Sequence, residues 1–280
     1  MQIIREINAL RRAVQAIRGA GETIALVPTM GALHAGHMAL VAEGKERARR
    51  VVASIFVNPA QFGPNEDLSR YPRREAEDAA MLEEGGCDLL WAPDVVAMYP
   101  DGHATRIRVA GVSQPLEGAS RPGHFDGVAT VVAKLLNQVQ PNLALFGEKD
   151  FQQLAVIRAM VRDLDLPVEI VAVPTQRDAD GLALSSRNAY LSTGQRLAAR
   201  ALPRALVEAA LAMRGGTAVE AALAEGRAAL SKDGFDIDYL AFCDPATLQP
   251  LEALDRPGRL LVAAKLGGTR LIDNIAVEPA

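Results

Sequence analysis

Apolar residues recur three or four apart at Ile3, Ile7, Leu10, Val14 and Ile17, which puts them on one face of a helix over residues 1–18. Residues 23–27 (TIALV) and 51–57 (VVASIFV) are apolar without alternation, the texture of strands covered on both faces. Residues 37–50, between them, have helix-forming composition. The rhythm continues with a helix over 75–84, a strand at 88–92 (DLLWA) and an apolar-faced helix over 128–139. A strand at 143–146, a helix over 151–163 and a strand at 168–173 complete it. Such alternation predicts an α/β fold whose N-terminal domain is a doubly wound, Rossmann-like parallel sheet.

The texture changes after Pro174. Residues 177–188 are a polar loop, and two Ala-rich helical stretches, 194–213 and 218–230, are divided by Gly215 and Gly216. Strands at 235–242 and 260–264 then predict a smaller α+β C-terminal domain. The expected domains are residues 1–175 and 176–280. A chain of 280 residues has room for both.

Charge narrows the partners. Thirty basic against 34 acidic residues give a net charge of −4, so nothing global draws the chain to nucleic acid or an anionic membrane, and an anion site must be local. No apolar run approaches the ~20 residues that cross a bilayer. Charged residues interrupt the N-terminal segment where a signal peptide would be apolar, so the expected location is the cytoplasm. Cys87 and Cys243 are the only cysteines, without ligand spacing, which disfavours a disulfide framework or structural zinc.

The richest segment is PTMGALHAGH, residues 28–37, between the first buried strand and a helix. In open parallel sheets ligands sit beyond the carboxyl ends of strands, where a helix N-terminus offers N–H groups to an anion. Gly31 and Gly36 permit close backbone approach, and His34 and His37 can donate to phosphate oxygens on which charge develops. An isolated HxxH is more often a pair of surface or capping residues; this one stands at a strand-to-helix junction and resembles the HxGH signature of nucleotidyltransferases and class I synthetases. Zinc is disfavoured, because the i, i+4 spacing and glutamate of HExxH are missing. In FVNPAQF, residues 56–62, Asn58 and Gln61 carry amides suited to a hydroxylated carboxylic acid, with Met30 and Phe62 as an apolar wall.

Five motifs then stand in order: PTMGALHAGH, FVNPAQFGPNEDLSRYPR from Phe56, RPGHFDGVATVVAKL from Arg121, FGEKDFQQL from Phe146 and DADGLALSSRNAYLS from Asp178. Together, over nearly the whole chain, they resemble the pantoate–β-alanine ligase family. The resemblance implies ATP-dependent condensation of pantoate with β-alanine through a pantoyl adenylate, releasing AMP and pyrophosphate, in a cytoplasmic homodimer. No nucleic acid or membrane is implied as a partner. The N-terminal domain would bind ATP and pantoate, and the C-terminal domain would act as a lid.

By residue, the resemblance implies His34, His37, Lys149, Ser185, Ser186 and Arg187 as the catalytic set. Pro28, Met30, Gly147, Asp150, Gln176 and Leu184 would join them around ATP, with Asp150 on the ribose hydroxyls. Met30, Asn58, Gln61, Phe62 and Gln153 would hold pantoate, and Arg121 and His124 would lie toward β-alanine. Asp78, with neighbouring Glu77, is the implied protein ligand of Mg2+, although Ala76 and Met81 stand where an extended metal site would carry a further acid and a glutamine. Ser185, Ser186 and Arg187 resemble the counterpart of the KMSKS loop, a mobile segment that closes over the β- and γ-phosphates. Alone, Lys149 and Asp150 read as a solvated charge pair at a helix start. Two alternatives share the HxGH loop: another nucleotidylyltransferase, which would need a basic pocket for an acceptor phosphate, and a non-catalytic nucleotide-binding protein.

Overall fold

A computed structural model describes residues 1–64 and 66–280. Its elements, in chain order, are β1 (Gln2–Ile4), α1 (Ile7–Gly19), β2 (Ile24–Thr29), α2 (Ala35–Arg47), β3 (Arg50–Ile55), α3 (Glu75–Glu84), β4 (Leu89–Trp91) and α4 (Val95–Met98). They continue with α5 (Glu117–Ser120), α6 (His124–Val139), β5 (Leu143–Gly147), α7 (Phe151–Asp163) and β6 (Glu169–Val173). The last are α8 (Thr193–Ala198), α9 (Ala201–Arg214), α10 (Val219–Lys232), β7 (Phe235–Cys243), β8 (Gly258–Leu266) and β9 (Thr269–Val277).

Two compact units result. The first comprises Met1–Ser113, Arg121–Glu148 and Gln153–Pro174; the second comprises Gln114–Ser120, Lys149–Gln152 and Thr175–Ala280. In the first unit six strands form one sheet in the order β1-β4-β3-β2-β5-β6, every pairing parallel. The chain leaves β2 for β3 on one side and later returns to β5 on the other, so the order reverses at β2, where open parallel sheets take their ligands. Ile24, Ala25, Leu26 and Val27 of β2 are wholly covered, as their unbroken apolar run requires. One face packs Leu10 and Val14 of α1 with Val128, Val132 and Leu136 of α6; the other packs Leu40 and Val41 of α2 with Leu82 of α3. Each such fully buried Leu or Val stabilises the fold by about 1.5–3 kcal/mol.

The second unit is an antiparallel sheet β7-β8-β9 covered by α9 and α10. Leu202, Leu206, Leu223 and Leu230 from the helices meet Phe242, Leu260 and Val262 from the strands.

Several edges differ from the sequence pattern. The N-terminal helix starts at Ile7, and the residues before it form β1 on the sheet edge beside β4, which leaves Ile3 46% exposed instead of on the helix face. The stretch 194–213 is two helices, α8 and α9, and β9 has no counterpart in the pattern. Cys87 and Cys243 are core residues whose thiols burial pushes up to about 11, which removes them from nucleophilic chemistry at neutral pH. Among the described residues no helix is long and apolar enough to cross a membrane.

Candidate functional site

The loop between β2 and α2 is built from left-handed backbone. Gly31 has φ +82° and Ala32 has φ +50°, so the chain doubles back and turns the Ala32 and Leu33 amides in one direction. Both donate, at 2.8 Å each, to the two carboxylate oxygens of Asp78 on α3. A Cβ at Gly31 would lie 2.9 Å from Asp78 Oδ2, so glycine lets the loop close on this carboxylate. Thr29 Oγ1 donates to Ser54 O at 2.7 Å and accepts from the Gly31 amide at 3.2 Å. The loop is thus fixed from β3 and from α3 before it reaches the histidines.

His34 is the N-cap of α2. Its Nδ1 accepts from the Gly36 amide at 3.1 Å, while Nδ1 of His37 accepts from the His34 amide at 3.3 Å, a reciprocal capping box with the rings 4.1 Å apart. The capping reading of this pair and the phosphate reading are therefore compatible. Because Nδ1 accepts in each ring, each neutral imidazole carries its proton on Nε2, leaving that atom as the donor.

A second cluster lies where the chain leaves β3. Asn58 caps the 3-10 turn Pro59–Gln61 and is 1% exposed. Its Oδ1 accepts from the Ala60 amide at 3.2 Å and from the Tyr99 hydroxyl at 2.8 Å. Its Nδ2 donates to Gln61 Oε1 at 2.9 Å and to Gly127 O at 3.1 Å. Two donor and two acceptor positions are the whole capacity of the amide, so Asn58, expected to touch pantoate, is committed to protein partners. Gln61 Nε2 lies 3.2 Å from Met30 Sδ, joining two residues the sequence assigned to one ligand. Phe62 packs edge-on against Tyr71.

Arg121 and His124 are brought to the main chain of Gln61. Arg121 binds Glu66 with Nε at 2.8 Å and Nη2 at 2.5 Å, and its Nη1 lies 3.2 Å from His124 Nε2. His124 Nδ1 is 2.9 Å from Gln61 O. Since the guanidinium only donates and the carbonyl only accepts, the tautomer with its proton on Nδ1 is the one that satisfies both contacts of His124. Burial pushes the Glu66 carboxyl up, but the hydrogen bonds and charge of Arg121 outweigh this and hold it below the usual carboxylate range. Sequence reasoning misses Glu66, Tyr99 and Gly127. Only Glu66 carries a signal, one of two adjacent acids (with Asp67) in a motif already singled out; its neighbour Asn65 lies outside the described residues.

Gln153 stands half-buried in the first turn of α7. Pro28 and Met30 end β2 or follow it, and Gly147 ends β5. Within the second unit, Asn274 Nδ2 donates to Lys149 O at 2.8 Å, holding the main chain of that lysine, and Asp150 is exposed. Ser185 caps the 3-10 turn Ser186–Tyr190 by accepting from the Arg187 amide at 3.2 Å. Gln176 O accepts from the Leu184 amide at 2.9 Å, and Asn188 donates to Ala183 O at 3.1 Å. The base of this loop is pinned by Arg177, which binds both carboxylate oxygens of Asp273 at 2.7 and 2.8 Å.

A protein-held magnesium ion does not fit these residues. Asp78 is 2% exposed and spends one lone pair of each oxygen on the loop, while Glu77 faces Arg74 at 3.8 Å on an exposed surface. Among the described residues no three His, Cys, Asp or Glu side chains are grouped to hold a metal. Asp78, expected as a metal ligand, is placed under the histidine loop, where its two oxygens hold the Ala32 and Leu33 amides.

A six-stranded parallel sheet with a histidine-capped helix following its switch-point strand defines an α/β protein equipped to receive an anionic ligand. The family model described as pantoate-beta-alanine ligase matches residues 2–276. The pantothenate synthetase of Rhizorhabdus wittichii is 64% identical over 281 residues, covering 100% of each chain, and that of Sphingopyxis alaskensis 60% identical over 278 residues, covering 99% of this chain and 100% of its own. The crystal structure of pantothenate synthetase from Thermus thermophilus aligns with a TM-score of 0.95 at 51% identity, covering 100% of each chain. That of the pantoate-beta-alanine ligase from Francisella tularensis, complexed with beta-gamma ATP and beta-alanine, aligns with a TM-score of 0.82 at 35% identity over 98% of this chain and 97% of its own. The chain belongs to the pantoate–β-alanine ligase family.

Proposed function

We propose that the chain carries out its family's condensation of pantoate with β-alanine to pantothenate in two steps with ATP. A pantoate carboxylate oxygen bonds to the α-phosphorus as the bond to pyrophosphate breaks; the β-alanine amine then bonds to the acyl carbon and AMP leaves. No side-chain nucleophile is needed, so the protein contributes positioning and charge stabilisation.

The observation that carries this reading is the reciprocal cap of His34 and His37 at the N-terminus of α2, in which Nδ1 of each ring accepts and each neutral ring bears its proton on Nε2. His34 and His37 donate to ATP phosphates, with Pro28, Met30 and Gly147 beside the nucleotide. Lys149, Ser185, Ser186 and Arg187 supply cationic and hydroxyl partners to the phosphates; Asp150, Gln176 and Leu184 serve the nucleoside. Gln61, Gln153, Met30 and Phe62 hold pantoate. Arg121 and His124 support the main chain of Gln61, and any closer role toward β-alanine acts through it. The N-terminal domain, residues 1–175, binds ATP and pantoate, and residues 176–280 act as a lid. The working form is a cytoplasmic homodimer. Magnesium is assigned no protein ligand.

The test is AMP formation in the presence of ATP, pantoate and β-alanine. AMP and pantothenate should appear in equal amounts and vanish when pantoate or β-alanine is left out. AMP formation without pantoate, or none with all three, would refute the assignment.

A further inference from the structure

Two backbone groups decide which way the Asn58 amide faces. Gly127 O can only accept, so the Asn58 atom 3.1 Å from it is Nδ2; the Ala60 amide can only donate, so the atom 3.2 Å from it is Oδ1. The same Nδ2 lies 2.9 Å from the Gln61 side chain, so the atom it meets there must be Oε1. Gln61 then has one orientation, with Nε2 turned to Met30 Sδ at 3.2 Å. A thioether is a weak acceptor and concedes that nitrogen to a stronger one. The Tyr99 hydroxyl completes the chain by donating to Asn58 Oδ1 at 2.8 Å. Its ring is held 6.0 Å from Phe56 and 5.0 Å from His103, with Lys134 Nζ 5.8 Å above it.

We propose that Tyr99 and Asn58 are positioning residues that lock the Gln61 amide nitrogen toward the ligand, so that Gln61 reads a hydrogen-bond acceptor on pantoate. The inference rests on the reading of Gln61 as a pantoate residue. It makes selectivity directional: a carboxylate or hydroxyl oxygen satisfies the amide, whereas an ammonium in the same place meets donor with donor. Burial pushes the Tyr99 phenol up to about 12, so it remains a donor wherever the enzyme is folded and active near neutrality.

The experiment is a double-mutant cycle of Tyr99→Phe and Gln61→Ala, reading KM for pantoate and for ATP, kcat and melting temperature. Tyr99→Phe keeps the ring and removes one O–H. It should raise the pantoate KM about 2- to 10-fold, the factor of one neutral hydrogen bond, with the ATP KM unchanged. In the Gln61→Ala background it should add nothing, because the group it positions is gone. Asn58→Asp, which presents only acceptors to Gln61 and forces its amide to reverse, should raise the pantoate KM further. An equal effect of Tyr99→Phe in both backgrounds, or none in either while Gln61→Ala itself raises the pantoate KM, would overturn the inference alone. An unchanged pantoate KM in Gln61→Ala would overturn the reading of Gln61 and this inference with it.

Discussion

Single residues here perform two tasks, and the second is invisible in sequence. The place of the HxGH histidines after a buried strand suggests the phosphate role proposed for them, but their reciprocal capping, which fixes the tautomer, needs coordinates. Gly127 illustrates the limit better. In a helix interior glycine costs about 1 kcal/mol relative to alanine, so the sequence offers no reason for it. A Cβ at this position would lie 2.3 Å from Ala60 O and 2.7 Å from Gln61 Cα, both backbone atoms that cannot turn aside. Gly127→Ala should therefore destabilise the protein by about 1–3 kcal/mol, the usual overpacking range, despite the better helix former. It should also raise the pantoate KM by displacing the 3-10 turn that carries Gln61. Chemical denaturation and steady-state kinetics check both; a stabilised variant with unchanged pantoate KM would show that α6 and the turn are not in the tight contact described.

Elements are legible wherever burial is uniform. The apolar runs of β2 and β3 and the helices α3 and α7 follow the periodicity of the sequence, because a strand covered on both faces or a helix on one face has no other way to hide those side chains. The pattern misleads at β1, whose three residues are too few for a period to register, and at β9, where Asp273 and Asn274 interrupt the apolar run. Those two are buried because Asp273 binds Arg177 and Asn274 binds Arg259 and Lys149 O, partners distant in sequence. The same long-range logic governs Asp78, expected as a metal carboxylate on α3 and placed beneath the β2–α2 loop. Asp78→Asn replaces one acceptor by an NH2 group facing an amide, which costs roughly 1–3 kcal/mol of local stability. Hydrogen exchange at the Ala32 and Leu33 amides should accelerate and turnover should fall, with the midpoint of magnesium activation unchanged. Retained amide protection with a raised magnesium midpoint would restore Asp78 as a metal ligand.

At the scale of the whole molecule, the chain combines a parallel sheet that places a histidine-capped helix after its central strand with a smaller unit that carries Lys149 and the Ser185–Arg187 turn. The motifs that carry the family likeness run through both units, which is why function is legible from sequence even where element boundaries are not. In the proposed order of reaction ATP and pantoate react first, without the amine. The most direct test of that order is exchange of labelled pyrophosphate into ATP in the absence of β-alanine. Reversible adenylation requires label to enter ATP when pantoate is present and not when it is omitted. Full turnover with β-alanine but no pantoate-dependent exchange without it would contradict a freely reversible adenylate and point to a step in which the amine must already be bound.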